Sequence, residues 1–174
     1  MLKKTLGTVK VLRGTRVFVR ADLNVPFDKA DPTKISDDTR IRSVVPTIQH
    51  LRDAGARVIV ASHAGRPKGE VNESMRLAPM GERLSELLGV EVNILPECTG
   101  DIVKEATDFM LPADVVLLEN VRFHKGEEKN DPAFAVELAR STGADVFVND
   151  AFGTAHRAHA STAGIADHVK SSVG

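Results

Sequence analysis

Five short apolar runs divide this chain, each followed by a stretch long enough to hold a helix. They are Arg16 to Arg20, Arg57 to Ala61, Val90 to Leu95, Asp114 to Leu118 and Asp145 to Val148. β-Branched residues dominate these runs and most of them show no polar face, so as strands they need cover on both sides. The segments between them carry helical signals. Ile41, Val44, Val45, Ile48 and Leu51 form an apolar stripe, with Gly55 in the place of a C-terminal cap. Pro46 lies inside that stripe and is expected to kink or delay the helix. A second helix follows Pro79, with Met80, Leu84, Leu87 and Leu88 inward and Gly89 after it. A third runs from about Asp101 to Phe109, and a fourth opens at Asn130, Asp131 and Pro132 and ends near Gly143.

Strands alternating with helices at these lengths imply an α/β fold: an open parallel sheet with helices on both faces, a Rossmann-like three-layer αβα arrangement joined by right-handed crossovers. The run VEVNIL alternates more than the others, which places it nearer a sheet edge. Phe27 to Asp38 is polar and reads as an exposed loop. From Ser161 onward STAGIADHVKSSVG reads as the start of a further helix that is then cut short. At 174 residues and 42% hydrophobic content, residues 1–174 suffice for one well-formed core, so a single domain is expected.

Lys and Arg nearly cancel Asp and Glu, leaving a net charge of -1. No global basic field exists to hold nucleic acid, and any anion site must come from local clustering. With phenylalanine as the only aromatic type, bases would find little to stack on. Cys98 is alone and cannot form an internal disulfide; no apolar stretch approaches the ~20 residues of a membrane span. The N-terminus lacks the apolar core of a secretory signal. These features point to a monomeric cytoplasmic protein with no membrane partner, and an organellar form that has shed a transit peptide fits them too.

Polar residues that a core does not need follow the C-terminal end of each strand but the third. RADLNVP brings Arg20, Asp22 and Asn24; SHAGRP brings Ser62, His63, Gly65 and Arg66. ENVRFH brings Glu119, Asn120, Arg122 and His124, and NDAFGTAHRAHAS brings Asn149, Asp150, His156, Arg157 and His159. In a parallel sheet these loops open on one edge, where ligands of such sheets bind. Arginines meeting there repel one another at about 5 Å unless anions sit among them. Guanidinium forks suit phosphate and carboxylate. Asp22 and Asn24, two apart in extended backbone, can point the same way and read a hydroxyl. The implied ligand is a small molecule carrying phosphate and hydroxyl.

Each residue also has a plainer reading. A single arginine is ordinarily a solvated surface residue, the histidines serve as structural hydrogen-bonders, and Asn149-Asp150 can end a strand and cap the next turn. Glu119 reads as a structural partner for a neighbouring arginine. Zinc is disfavoured at His63, His156 and His159, because no cysteine is near and Arg157 stands between two of them.

RADLNVP, DDTRI, SHAGRPKG, LLENVRFHKGEEKNDP and VNDAFGTAHRAHAS resemble, in order and spacing, the signature segments of the N-terminal half of the phosphoglycerate kinase family. Ala21 and Ala64 depart from the usual Val and Leu, and Ala64 is expected to loosen packing under its loop. The resemblance implies an N-terminal domain that binds 3-phosphoglycerate or 1,3-bisphosphoglycerate in an enzyme that transfers the acyl phosphate to ADP. Asp22 and Asn24 would address the hydroxyl and neighbouring oxygens, His63, Arg66, Arg122 and Arg157 would hold the 3-phosphate, and Leu23, Ala64 and Gly65 would be further substrate-binding residues. Arg20, Asn149 and His156 would support them. Arg40, in DDTRI, would be catalytic, steadying the carboxylate and the transferring phosphoryl group.

Neither GxxxxGK[ST] nor GxGxxG occurs. The resemblance implies that Mg-ATP or Mg-ADP binds a C-terminal domain absent from these residues, so no cofactor or metal is expected on this chain and turnover by it alone is expected to be negligible. Two other readings remain open at this point: a noncatalytic phosphometabolite-binding module, and a receiver-like domain, for which the strand ends are too basic.

Overall fold

The computed structural model describes residues 11–31, 34–151, 153 and 158–173. Its strands are β1 (Arg16–Ala21), β2 (Arg57–Ala61), β3 (Val92–Ile94), β4 (Val115–Leu117), β5 (Val146–Asp150) and β6 (Ser171–Val173). The helices α1 (Thr39–Asp53), α2 (Ala78–Leu88), α3 (Asp101–Asp108) and α4 (Pro132–Thr142) fall between successive members of the first five. All six strands are parallel, in the order β3-β4-β2-β1-β5-β6. The run marked by its alternation, β3, is an edge strand.

Strand alternation sorts the apolar residues to two faces. Val17, Val19, Val58, Val60, Val146 and Val148 join a core with Ile41, Ile48, Leu51 and Leu84 of α1 and α2. Phe18, Ile59 and Phe147 join the opposite core with Val103 of α3 and with Phe134 and Leu138 of α4. Burying each such side chain contributes about 1.5–3 kcal/mol, which makes the central strands the stable platform for the loops at their ends.

Helix α1 begins at Thr39, ahead of Pro46, and continues past it, so the expected delay does not occur. The lost proline amide frees only the carbonyl of Arg42, an exposed residue, and the buried face of Ile41, Val44, Ile48 and Leu51 holds the helix. Gly55, with φ +74°, ends it: its amide bonds Arg52 O at 2.8 Å and the Ala56 amide bonds Leu51 O at 3.0 Å, the paired pattern of a left-handed cap. Asp131 caps α4 by accepting from the Ala133 and Phe134 amides.

The tail differs from expectation. Gly164–His168 is a short 3-10 helix, and Ser171–Val173 pairs with Val146, Phe147 and Val148 as a sixth strand. Ser171 and Ser172 have little strand preference of their own, and the parallel ladder with β5 holds them extended. Among the described residues no helix is long and apolar enough to cross a membrane.

Candidate functional site

The chain leaves β1 toward β2 on one side of the sheet and leaves β5 toward β6 on the other, so β1 and β5 flank the point where the winding reverses. Beyond the carboxyl ends of the strands there lies a cleft of about 250 Å³ lined by Asp22, Asn24, Arg40, His63, Gly65, Arg66, Arg122 and Gly153. The loops after β1, β2, β4 and β5 and the first turn of α1 all contribute to it. A roomier groove of about 520 Å³ lies between the 34–38 segment and α2. Its wall carries Asp37, Asp38, Glu82 and Glu86 against Lys34 and Arg83, so it is net acidic and suits an anion less well than the arginine-lined cleft.

Backbone constraints hold these side chains in place. Asn24 Oδ1 accepts the Gly65 amide at 2.9 Å, and Gly65 O accepts Arg122 Nη1 at 2.9 Å, so three loops meet at one glycine. Gly65 has φ +61°, and a Cβ there would lie 2.8 Å from Met75 Sδ. Asn120, fully buried, donates through Nδ2 to Ala64 O and Met75 O and accepts from the Arg122 amide. Arg40 Nη1 reaches Asp22 at 3.2 Å and Asn24 O at 3.0 Å. Asp22 Oδ1 also accepts from the Asn24 amide at 3.3 Å. Arg66 is exposed at the rim.

Behind the cleft is a buried polar layer. Arg20, wholly inaccessible, donates from Nε to Ser161 Oγ at 2.9 Å, from Nη1 to Ala21 O, and from Nη2 to His63 Nδ1 at 3.0 Å. Ser161 in turn donates its hydroxyl to Glu127 Oε1 at 2.5 Å. Burial lowers the Arg20 guanidinium to about 10 while Glu127 and Asp22 pull it back up, so it stays charged at neutral pH. Burial, then the positive charge of Arg20 and Arg122, pushes His63 down to about 2. His63 is therefore a neutral imidazole at ordinary pH, an uncharged donor beside fixed cations.

The structure thus brings Asp22, Asn24, Arg40, His63, Gly65, Arg66 and Arg122 together. It does not bring the side chains of Leu23 and Ala64 there: both are buried in the apolar core, because the residues flanking the cleft residues need the opposite face of the loop to pack. Leu23 contributes an amide to Ser62 Oγ, at 2.9 Å. Arg20 lies behind His63. Asn149 Oδ1 accepts from the Ala151 amide, the turn-capping role of a strand-ending asparagine. His156 and Arg157 lie outside the described residues. Glu119 partners Arg76 at 2.9 Å and the amides of Leu77 and Asn120, a structural role as expected.

Gly153, Ser161 and Glu127 are additions that reading by residue type did not single out. Gly153 leaves space for Asp22, whose Oδ2 would sit 2.8 Å from a Cβ. Glu127 lies within the family-like segment LLENVRFHKGEEKNDP, but nothing in its local sequence separates it from Glu128 beside it.

A family model described as Phosphoglycerate kinase matches residues 8–174. The chain is 58% identical to a phosphoglycerate kinase of Acaryochloris marina, over 99% of this chain and 43% of that one. It is 56% identical to the cytosolic phosphoglycerate kinase of Triticum aestivum, over 98% and 42%. A chloroplastic phosphoglycerate kinase of Volvox carteri is 55% identical over 99% and 37%. Two solved phosphoglycerate kinase structures superpose on 98% of the chain. That from Coxiella burnetii has a TM-score of 0.83 at 37% identity and 41% of its own length, and that from Pyrococcus horikoshii 0.84 at 31% and 42%. The chain spans about two fifths of the length of these relatives. By the family model, by sequence and by fold, the chain belongs to the phosphoglycerate kinase family.

Proposed function

We propose that the cleft holds 3-phosphoglycerate or its acyl phosphate, 1,3-bisphosphoglycerate, and that residues 1–174 act as the substrate-binding domain of an enzyme that moves the acyl phosphate to ADP. One observation carries this reading. Arg40, Arg66, Arg122 and His63 converge on a single cleft in which, among the described residues, the only lining acid, Asp22, is already engaged by Arg40.

In this reading Arg66, Arg122 and His63 clamp the 3-phosphate, with Arg157 as a further member. Asn24 spends Oδ1 on Gly65 and keeps its Nδ2 hydrogens for the substrate hydroxyl, beside the acceptor Asp22. Arg40 is the catalytic cation. Its Nη1 is bonded to Asp22 and Asn24, and its remaining donors meet the substrate carboxylate and the transferring phosphoryl group. In the transfer a β-phosphate oxygen of ADP bonds to phosphorus as the bond to the acyl oxygen breaks, leaving the carboxylate of 3-phosphoglycerate. Such a reaction calls for alignment and charge neutralisation rather than a protein nucleophile.

Among the described residues the lining offers one carboxylate, already bound by an arginine, and does not fit a divalent ion. The magnesium nucleotide is accordingly assigned to a C-terminal domain beyond these residues, and the 174 residues alone bind the acid without appreciable turnover. A monomeric cytoplasmic enzyme of glycolysis is the setting proposed.

The test is a titration of the purified 174-residue chain with 3-phosphoglycerate, followed by NMR at the His63 ring, with glycerate as the control lacking phosphate. We expect perturbation by the phosphorylated acid only, and binding about tenfold weaker or worse in Arg122→Ala, which loses a charge-assisted donor. No perturbation at millimolar ligand overturns the site; normal turnover by the chain alone overturns the division of labour.

A further inference from the structure

We infer that Arg20 is a positioning residue that fixes the tautomer of His63, and that it is itself fixed by Glu127 through the hydroxyl of Ser161. The inference rests on the phosphate-clamp reading of His63 for its consequence but not for its geometry.

The relay is built from four residues on four segments: Glu127 after β4, Ser161 after β5, Arg20 at the end of β1 and His63 after β2. Arg20, Ser161 and Glu127 are each wholly inaccessible and His63 nearly so. The hydrogen-bond inventory leaves no freedom in how the protons run. A carboxylate only accepts, so Ser161 must give its one hydroxyl hydrogen to Glu127 Oε1, at 2.5 Å. Its lone pair then faces Arg20 Nε at 2.9 Å. A guanidinium only donates, so the 3.0 Å contact from Nη2 obliges His63 Nδ1 to be the unprotonated nitrogen. The ring hydrogen is left on Nε2, the one donor His63 has to offer the cleft.

Glu127 is tied in more firmly than this one bond requires. Its second oxygen accepts the Ser161 amide at 3.0 Å, and its carbonyl accepts the Ala160 amide at 3.0 Å. The turn bearing Ser161 is thereby locked against the segment after β4, and the guanidinium cannot rotate to offer His63 a different edge without stranding a buried donor. Mere charge neutralisation of Arg20 would not need an intervening hydroxyl. Ser161 on Nε and the Ala21 carbonyl on Nη1 together set the guanidinium plane, and so which atom reaches His63.

The experiment reads the ring nitrogens of His63 by long-range proton–nitrogen NMR in the ligand-free, 15N-labelled 174-residue chain at pH 7. The expected wild-type result is the Nε2–H tautomer alone. Ser161→Ala should mix the two tautomers and weaken 3-phosphoglycerate binding about tenfold, the worth of one hydrogen bond to a charged group. Ser161→Thr, which keeps the hydroxyl, should restore both. A purely structural serine would change thermal stability without moving the tautomer.

A wild-type Nδ1–H tautomer overturns the inference, as does a folded Ser161→Ala chain with the tautomer unchanged. Should Ser161→Ala not fold, the wild-type spectrum decides alone. Because the tautomer is read without ligand, an Nε2–H ring in a chain that ignores 3-phosphoglycerate would defeat the binding proposal and leave the relay standing.

Discussion

Asn24 Oδ1 accepts the backbone amide of Gly65 at 2.9 Å, joining the loop after β1 to the loop after β2. With the Leu23 amide on Ser62 Oγ at 2.9 Å, this bond ties the two loops into one wall of the cleft. Asn24→Ala should lose about 1 kcal/mol, read as a fall in Tm of about 2–4 °C for a chain of this size. Asn24→Asp keeps the acceptor and should recover most of that loss.

Gly65 is the more severe test of the same wall. Its φ of +61° belongs to the left-handed region, and a Cβ would meet Met75 Sδ at 2.8 Å. Gly65→Ala should cost about 1–2 kcal/mol from backbone strain alone. It should also displace the carbonyl that holds Arg122 Nη1, so anion affinity should fall together with stability in chemical denaturation and calorimetric titration.

Gly153→Ala should separate the two effects. The nearest atom to its Cβ is the flexible carboxylate end of Asp22, at 2.8 Å, which can swing away at little cost to the fold. The Tm should stay within about 1 °C of wild type, as for a surface change worth under ~0.5 kcal/mol. The Asp22–Arg40 pair at 3.2 Å should be lost, and 3-phosphoglycerate should bind more weakly.

Stability should fall in mild acid. His63 drops from the ordinary 6.5 to about 2 in the fold, chiefly through burial. Between those values the unfolded chain binds a proton that the folded chain refuses. The stabilising contribution is therefore complete above pH 6.5 and is lost as pH falls toward 2, at up to ~1.4 kcal/mol per pH unit. His159, also lowered by burial, adds in the same direction. Urea midpoints measured from pH 7 to pH 5 should decline, and His63→Gln should flatten the decline.

The layered architecture and the edge on which the site lies were legible because strand runs and helical stripes are local patterns. A buried parallel strand cannot hide its continuous apolar character, and loops at strand ends must carry whatever polar chemistry the core rejects. The positions of His63, Gly65, Arg66 and Arg122 around one cleft follow from that logic, whereas Arg40, in the first turn of α1, was marked only by the family resemblance of DDTRI. The third strand was overextended by local pattern: the strand is Val92–Ile94, although the Leu95 amide still bonds Leu117 O of β4.

What local pattern did not determine is where pairing and burial depend on a distant partner. Ser171–Val173 is a strand only because β5 presents an open edge to it. Leu23 and Ala64 lie inside the core although they sit between cleft residues, because a loop has two faces and the sheet claims one. Glu127 and Glu128 are adjacent and chemically alike. One is wholly buried on Ser161, while the side chain of the other is 43% exposed beside Arg122. Sequence by itself determined the first five strands, the four helices and the cationic loops, since these are set by spacing along the chain. Tertiary structure alone decided that Arg20 is buried behind His63 instead of standing in the cleft, because a charge can be held in the interior only where folding delivers partners from distant segments.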